Sequence, residues 1–539
     1  MIRLVLGLSL IVTCATAQSP TLPQLQKASR LMTSRHLLDN IRELSSDAYT
    51  GRFPGTPGED KSVAYIISQI KAIGLKPGTP QGSYVQKVPL YGTRSRGGLA
   101  VQSGNTQITF DAARDFVVWS NLPDEQLDVW SSIVFAGYGV VAPEYKWDDY
   151  AELDVKGKTM IVLSGDPPTA DQRLFQGKAL SVYGRTGTKL ETAFQHGAAA
   201  VLLVAPNSAA GTRLNRNNAR ENMTLRDGKE RNQLKAQALI TTEKAQEIFA
   251  GVSINFDQLR DAAAKPGFRP IDLDARATIS VTNAVRSFES QNVLAKIEGS
   301  DPVLKNEYVI YSAHWDHHGQ EGDQIFHGAS DNAAGTAGIL ELARALKSLK
   351  PAPKRSAIFL WTTAEEKGLL GARYYVDHPL YPIAATIANI NLDYFSNWGW
   401  GRTKDFSIVG LGNSTLDDLT ADAVKRQDRT LTGDTAPEQG FYFRSDHFEF
   451  ARVGVPSLET SPGIDYVGQP AAFGEAKRTE YIRNDYHKAS DVIKPEWDLS
   501  GAIEDLQILL EVGYRSAQAP GRPSWKADAV WRPRLSAKD

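Results

Sequence analysis

The chain has 539 residues, enough for two or three domains, and its 42% apolar and 23% charged content is that of an ordinary globular protein with an ample core. A formal net charge of −2 supplies no general attraction for polyanions, which excludes nucleic acid and acidic membrane surfaces as first expectations. Cys14 is the single cysteine. Disulfide frameworks, thiolate metal sites and cysteine nucleophiles are therefore excluded once the N-terminal segment is removed.

Residues 1–17 read as an export signal: Arg3, an apolar run over 4–15, and a small-x-small site at Ala15-Thr16-Ala17. The protein is expected in the periplasm or outside the cell, with cleavage near Ala17. The apolar run is shorter than the ~20 residues a membrane span needs, and no other stretch is long and apolar enough. Thr13 argues against lipidation of Cys14. Residues 18–35 form a polar, Pro-containing leader. Over 36–130 the chain is folded. The turn-rich loop 51–58 precedes a helix over about 58–73, where Val63, Ile66, Ile67, Ile70 and Ile73 recur at helical spacing. Short strands follow to about 135.

The texture changes near 131. Buried-strand patterns at 160–163 and 198–204 flank an amphipathic helix at about 190–196, and 208–233 is polar and expected to be an exposed loop. From about 290 to 517 strands and helices alternate, which predicts an α/β fold with a mixed, mostly parallel central sheet flanked by helices. The tail 518–539 is Pro-containing and basic, an extended surface arm with Trp525 and Trp531.

Four segments share one grammar. A strand at 308–311 runs into His314 and Asp316. Asp331 precedes a helix over 334–349. A strand at 357–361 leads to Glu365-Glu366, and one at 387–392 leads to Asp393. Histidine and carboxylate thus gather at strand carboxyl ends, where open α/β sheets place their sites. Neutral imidazole and carboxylate oxygen suit Zn²⁺, and paired metals need a bridging carboxylate. Singly, each residue has an ordinary reading: Asp331 as a helix N-cap, Glu365-Glu366 as an acidic first turn. Their joint occurrence carries the chemical reading.

These residues, with Ala313-His-Trp-Asp-His-His-Gly319, Gly328-Ala-Ser-Asp-Asn-Ala-Ala-Gly335, Thr363-Ala-Glu-Glu-Lys-Gly-Leu-Leu-Gly371, Ser445-Asp-His447, Tyr486-His487 and the opening Gly51–Glu59 segment, resemble the M28 family of co-catalytic zinc peptidases. The resemblance covers nearly all of 36–515. It implies two Zn²⁺ ions, or Mn²⁺ or Co²⁺, with His314 and Asp393 completing one site, Glu366 and His487 the other, and Asp331 bridging. It further implies Asp316 as support for His314 and Glu365 as general base. His317, His318 and His327 are expected beside the ligands rather than among them. Ser330 stands where many relatives have a second acid. Residues 131–285 are similar to an inserted, β-rich protease-associated (PA) domain, with the peptidase part resuming at 286–517.

The implied reaction is hydrolysis of peptide bonds by an activated water. Acids outnumber bases around the motifs, which favours an aminopeptidase that holds an ammonium. Arg444 is the residue that would reverse this towards a glutamate carboxypeptidase-like enzyme. A glutaminyl cyclase-like acyltransferase fits a one-metal site less well, and an inactive binding protein would have lost Glu365 or a ligand.

Overall fold

A computed structural model describes residues 22–112, 114–169, 171, 173–205, 220–393, 399–527 and 529. The export signal and Trp531 lie outside these residues. The strand Tyr308–His314 forms the centre of the catalytic sheet, parallel to Ser356–Thr362 on one side and Thr386–Asn391 on the other. Ser457–Pro462 continues the parallel set beside Thr386–Asn391, and Asp405–Val409 then runs antiparallel to it. Tyr308–His314 and Ser356–Thr362 are buried at every position, as strands covered on both faces must be. Val309, Tyr311 and Ala313 pack towards the helices Ala334–Ser348 and Ser500–Gln518. Tyr308 and Ile310 pack towards Leu370–Asp377 and His447–Arg452. The period of two along one strand thus feeds two helical layers.

The helix expected over 58–73 is Pro57–Ile73, with Pro at its first position and Gly74 closing it in the left-handed conformation. Of the leader 18–35, residues 22–35 are described. They include the helix Leu22–Ser29, and Leu25 and Ala28 join the main core. With Met32 they place apolar groups three and four residues apart, a spacing that docks a short helix despite its polar composition.

A second lobe has its own core, drawn from residues between Leu99 and Val281. The strands Gln126–Phe135, Thr159–Leu163, Ala200–Val204 and Ala236–Ile240 run parallel within it. The helix Thr186–Gln195 lies between the second and third of them in the chain, and Thr242–Gly251 and Phe256–Ala263 follow the last. The borders expected at 131 and 285 fall inside strands. Residue 131 lies within Gln126–Phe135, and 285 lies within the 27-residue strand Ile271–Ile297. That strand pairs with Gln126–Phe135 at one end and with Ser356–Thr362 at the other, so continuous backbone pairing joins the lobes. Nor is 208–233 entirely loop: Asn222–Leu225 forms a strand on Val85–Ser103, and Met223 and Leu225 are its buried side. The tail reaches back over the surface, where the Trp525 indole donates to the Gly454 carbonyl at 2.9 Å.

Candidate metal centre

His314 is the last residue of the central strand. Its Nε2 lies 3.2 Å from Asp393 Oδ1, 3.4 Å from Asp331 Oδ1 and 3.7 Å from Glu365 Oε2. His487 Nε2 lies 3.1 Å from Asp331 Oδ2 and 3.2 Å from Glu366 Oε2. The two oxygens of Asp331 therefore face two different imidazoles, each with its own second carboxylate. Donors on one tetrahedral zinc would stand about 3.3 Å apart, from bond lengths of about 2.0–2.1 Å. Asp331 caps no helix, since the N-cap of Ala334–Ser348 is Ala333 and makes no side-chain cap bond. Glu365 and Glu366 sit in a single 3₁₀ turn entered through Ala364 at φ +52°, which splays the two side chains.

His317 and His318 are drawn into the same cluster. His317 Nδ1 lies 2.7 Å from Glu366 Oε1, and His318 Nε2 lies 3.4 Å from Glu366 Oε2. His327 is outside it, paired with Asp47 at 2.8 Å. Three groups of metal-ligating atoms result: His314, Glu365 and Asp393; His317, Asp331 and Glu366; His318, Glu366 and His487. Apart from these close approaches, which lack hydrogen-bond geometry, the ring nitrogens of His317 and His318 and Glu366 Oε1 are buried without a partner. Unsatisfied donors of this kind are costly unless a cation or water completes them, so the residues fit a metal centre.

Several groups hold the cluster in place. Asp316 Oδ1 accepts the backbone N–H of Glu365 at 3.0 Å and lies 3.7 Å from His314 Nδ1. Asp491 was not legible from the sequence. Its two oxygens accept the N–H groups of Ser330 and Asp331, each at 3.1 Å. Arg52, fully buried, donates to the carbonyls of Leu44, Trp315, His327 and Gly328 and so ties the opening loop to both His314 and Asp331 segments. Gly328 is required where it stands. At φ +55° an added Cβ would meet the Asp331 carbonyl at 2.2 Å.

Burial and the neighbouring carboxylates of Asp393, Glu366 and Asp446 push Glu365 well above the usual carboxylate range. Burial lifts Glu366 and Asp446 to about 7. Burial favours neutral His317, lowering it to about 4, which leaves its ring nitrogens available as ligands. For His314 the Glu365 and Asp393 carboxylates outweigh burial and raise it. The cluster thus holds more negative charge than its own cations balance, and added positive charge there would favour the ionised carboxylates.

A cavity of about 260 Å³ opens on the cluster, lined by Asp331, Glu365, Glu366, Asp393 and His487 together with Glu459, Asp405, Arg444 and Arg185 of the second lobe. Of the acids near the motifs, Glu365, Glu366 and Glu459 line it, and Asp316, Glu321, Asp323, Asp446, Glu449 and Asp465 do not. Arg444 does, and its guanidinium donates to the Tyr486 hydroxyl at 2.8 Å. Ser445 also lines the cavity, whereas His447 is buried 3.3 Å from Glu459. Glu459 in turn accepts from Asn391 at 2.7 Å.

An open α/β sheet that delivers histidines and carboxylates from its carboxyl edge into one buried cluster defines an α/β protein with a site suited to metal binding. Residues 292–510 match the family model of Peptidase family M28. Among curated proteins, Aminopeptidase NAALADL1 of Mus musculus is 37% identical over 274 residues, covering 48% of this chain and 34% of that protein. Probable lipoprotein aminopeptidase LpqL of Mycobacterium tuberculosis is 23% identical over 474 residues, covering 85% of this chain and 79% of that one. The chain thus spans about a third of the length of the first of these relatives (34%). Among solved structures, the aminopeptidase from Aneurinibacillus sp. strain AM-1 has the same fold, with a TM-score of 0.54, 20% identity, and coverage of 95% of this chain and 100% of that one.

Proposed function

We propose that the chain is an exported metal-dependent aminopeptidase that holds two Zn²⁺ ions, releasing N-terminal residues from peptides. The observation that carries this reading is the division of the Asp331 carboxylate between His314 and His487. His314 and Asp393 would hold one ion, Glu366 and His487 the other, and Asp331 both. When bound, the ions supply a water acidified towards neutrality and a positive field for the carbonyl oxygen.

The chain's own groups do the rest. Glu365 takes the water proton and later delivers it to the leaving amine, a task suited to a carboxylate whose proton affinity burial has raised. Asp316 fixes the Glu365 backbone and orients the His314 ring. The acids of the first cavity suit a substrate ammonium, whereas Arg444, held at one N–H by the Tyr486 hydroxyl, is the cavity residue that would suit a carboxylate instead. Relatives named aminopeptidases at 37% and 23% identity support the same polarity. No helix among the described residues is long and apolar enough to cross a membrane, and mass spectrometry of secreted protein should find Gln18 at the N-terminus.

The test is a peptide panel with either end blocked. N-acetylation should abolish hydrolysis and C-terminal amidation should not. Cleavage that survives N-acetylation but stops on amidation, and is lost in Arg444→Ala, would instead establish a carboxypeptidase.

A further inference from the structure

A second cavity of about 430 Å³ lies between the second lobe and the turn that carries Glu366. It shares Glu366, Gly368 and His487 with the first cavity, so an extended chain crossing the cluster passes from one into the other. Its charge is of opposite sign. Of its four cationic residues, Arg231 is engaged by Asp227 and Asp377, each at 2.7 Å, and Arg373 by Glu191 at 2.9 Å. Of its acids, Glu221 is held by Arg286 at 2.7 Å.

Among the described residues one cation, Lys367, has no anionic partner, and a second, Arg220, has one that is partly open to solvent. Lys367 is half-buried, and among the described residues its ammonium has no ion pair or hydrogen bond, only the Phe53 ring 4.8 Å away. Among the described residues Arg220 has one ion pair, Nε to Glu321 at 3.2 Å, and the Glu321 side chain is 45% exposed; its guanidinium also lies over the Phe326 ring, 5.2 Å from the centroid. An unpaired ammonium removed from water is costly, and a ligand anion would relieve that cost. Peptides carry one class of anion, the carboxylate.

We propose that this second cavity binds a carboxylate on the leaving part of the substrate, with Lys367 and Arg220 as its partners. The inference rests on the aminopeptidase reading, under which the ammonium end occupies the first cavity. The carboxylate has two sources, the C-terminus of a short peptide or an acidic side chain beyond the scissile bond.

Steady-state kinetics of the zinc-loaded full chain on paired leucyl peptides separates these sources. Leu-Ala-Ala against its C-terminal amide reports the terminal carboxylate. Leu-Glu-Ala amide against Leu-Gln-Ala amide reports the side chain. At least one pair should differ in kcat/KM by roughly tenfold, mostly through KM, the scale of one charge-assisted hydrogen bond. Lys367→Met should bring that ratio to about one, Arg220→Gln should reduce it, and Lys367→Arg should preserve it, an outcome a merely structural role would not produce. Ratios within about twofold in both wild-type pairs, or a ratio unmoved by Lys367→Met, would overturn the proposal. If no leucyl peptide is cleaved, the aminopeptidase reading fails instead, and calorimetric titration with glutarate decides the cavity. Binding about tenfold weaker in Lys367→Met would then support it, and equal binding would overturn it.

Discussion

Replacing Asp491 by Asn probes the support beneath the cluster without replacing any proposed ligand. In the wild type its two oxygens accept the N–H groups of Ser330 and Asp331 at 3.1 Å each, and the second also accepts the Tyr481 hydroxyl at 3.3 Å. An amide has one acceptor oxygen, so whichever way it turns, one N–H faces an NH₂ group and loses its bond. Hydrogen bonds to a charged group are worth ~1.5–3 kcal/mol, and the whole loss falls on the segment that aims Asp331. Burial lifts Asp491 to about 6, so at pH 8 the wild-type group is the carboxylate and the comparison is with a charged acceptor. If the segment is ordered only as well as Asp331 is held, the loss converts to a ~10–100-fold weaker affinity for both ions. Chelator competition at pH 8 on wild type and Asp491→Asn measures it. Affinities within about twofold would refute the reasoning and make the two hydrogen bonds incidental to metal binding.

Glu365→Gln should retain both metals and the fold while kcat falls ~10²–10⁴-fold, because Gln has the shape but cannot accept the water proton. Near-wild-type turnover with full metal content would reject Glu365 as base. Burial lowers Lys189 from 10.5 to about 8. The unfolded chain therefore binds more protons between about pH 8 and 10.5, and stability should rise with pH across that window, by up to about 3 kcal/mol. Urea unfolding of the second lobe at pH 7.5 and 9.5 checks the sign, and Lys189→Met should remove the dependence. Leu25→Ala should destabilise docking of the first helix by ~2–3 kcal/mol, at the low end for a core leucine because a terminal helix can fray. Limited proteolysis should then cut near residue 30 faster than in the wild type, and equal rates would show that the helix adds nothing.

What was legible in the sequence follows from how each signal is built. The alternation of buried strands with helices from 308 onward, and the placing of His314, Glu365, Glu366 and Asp393 at strand ends, rest on local periodicity that the fold preserves. His487 came from resemblance alone, since it follows no strand and adopts φ +58° in an irregular turn. Asp491 and Arg52 escaped notice because their role lies in backbone contacts to distant segments, and an isolated acid or base carries no pattern for that. The positions 131 and 285 lie within strands for a related reason. Ile271–Ile297 alternates without interruption through both sheets, so nothing in its composition marks the crossing. The leader's polar composition hides three spaced apolar residues, Leu25, Ala28 and Met32, that are enough to dock its helix.

Asp331 as a shared ligand is tested most directly by anomalous diffraction from zinc-loaded crystals. Two peaks are expected about 3.5–4 Å apart, one beside each Asp331 oxygen, the first also reached by His314 and Asp393 and the second by Glu366 and His487. A single peak, or two peaks of which one is held by His317 or His318 without Asp331, would contradict it.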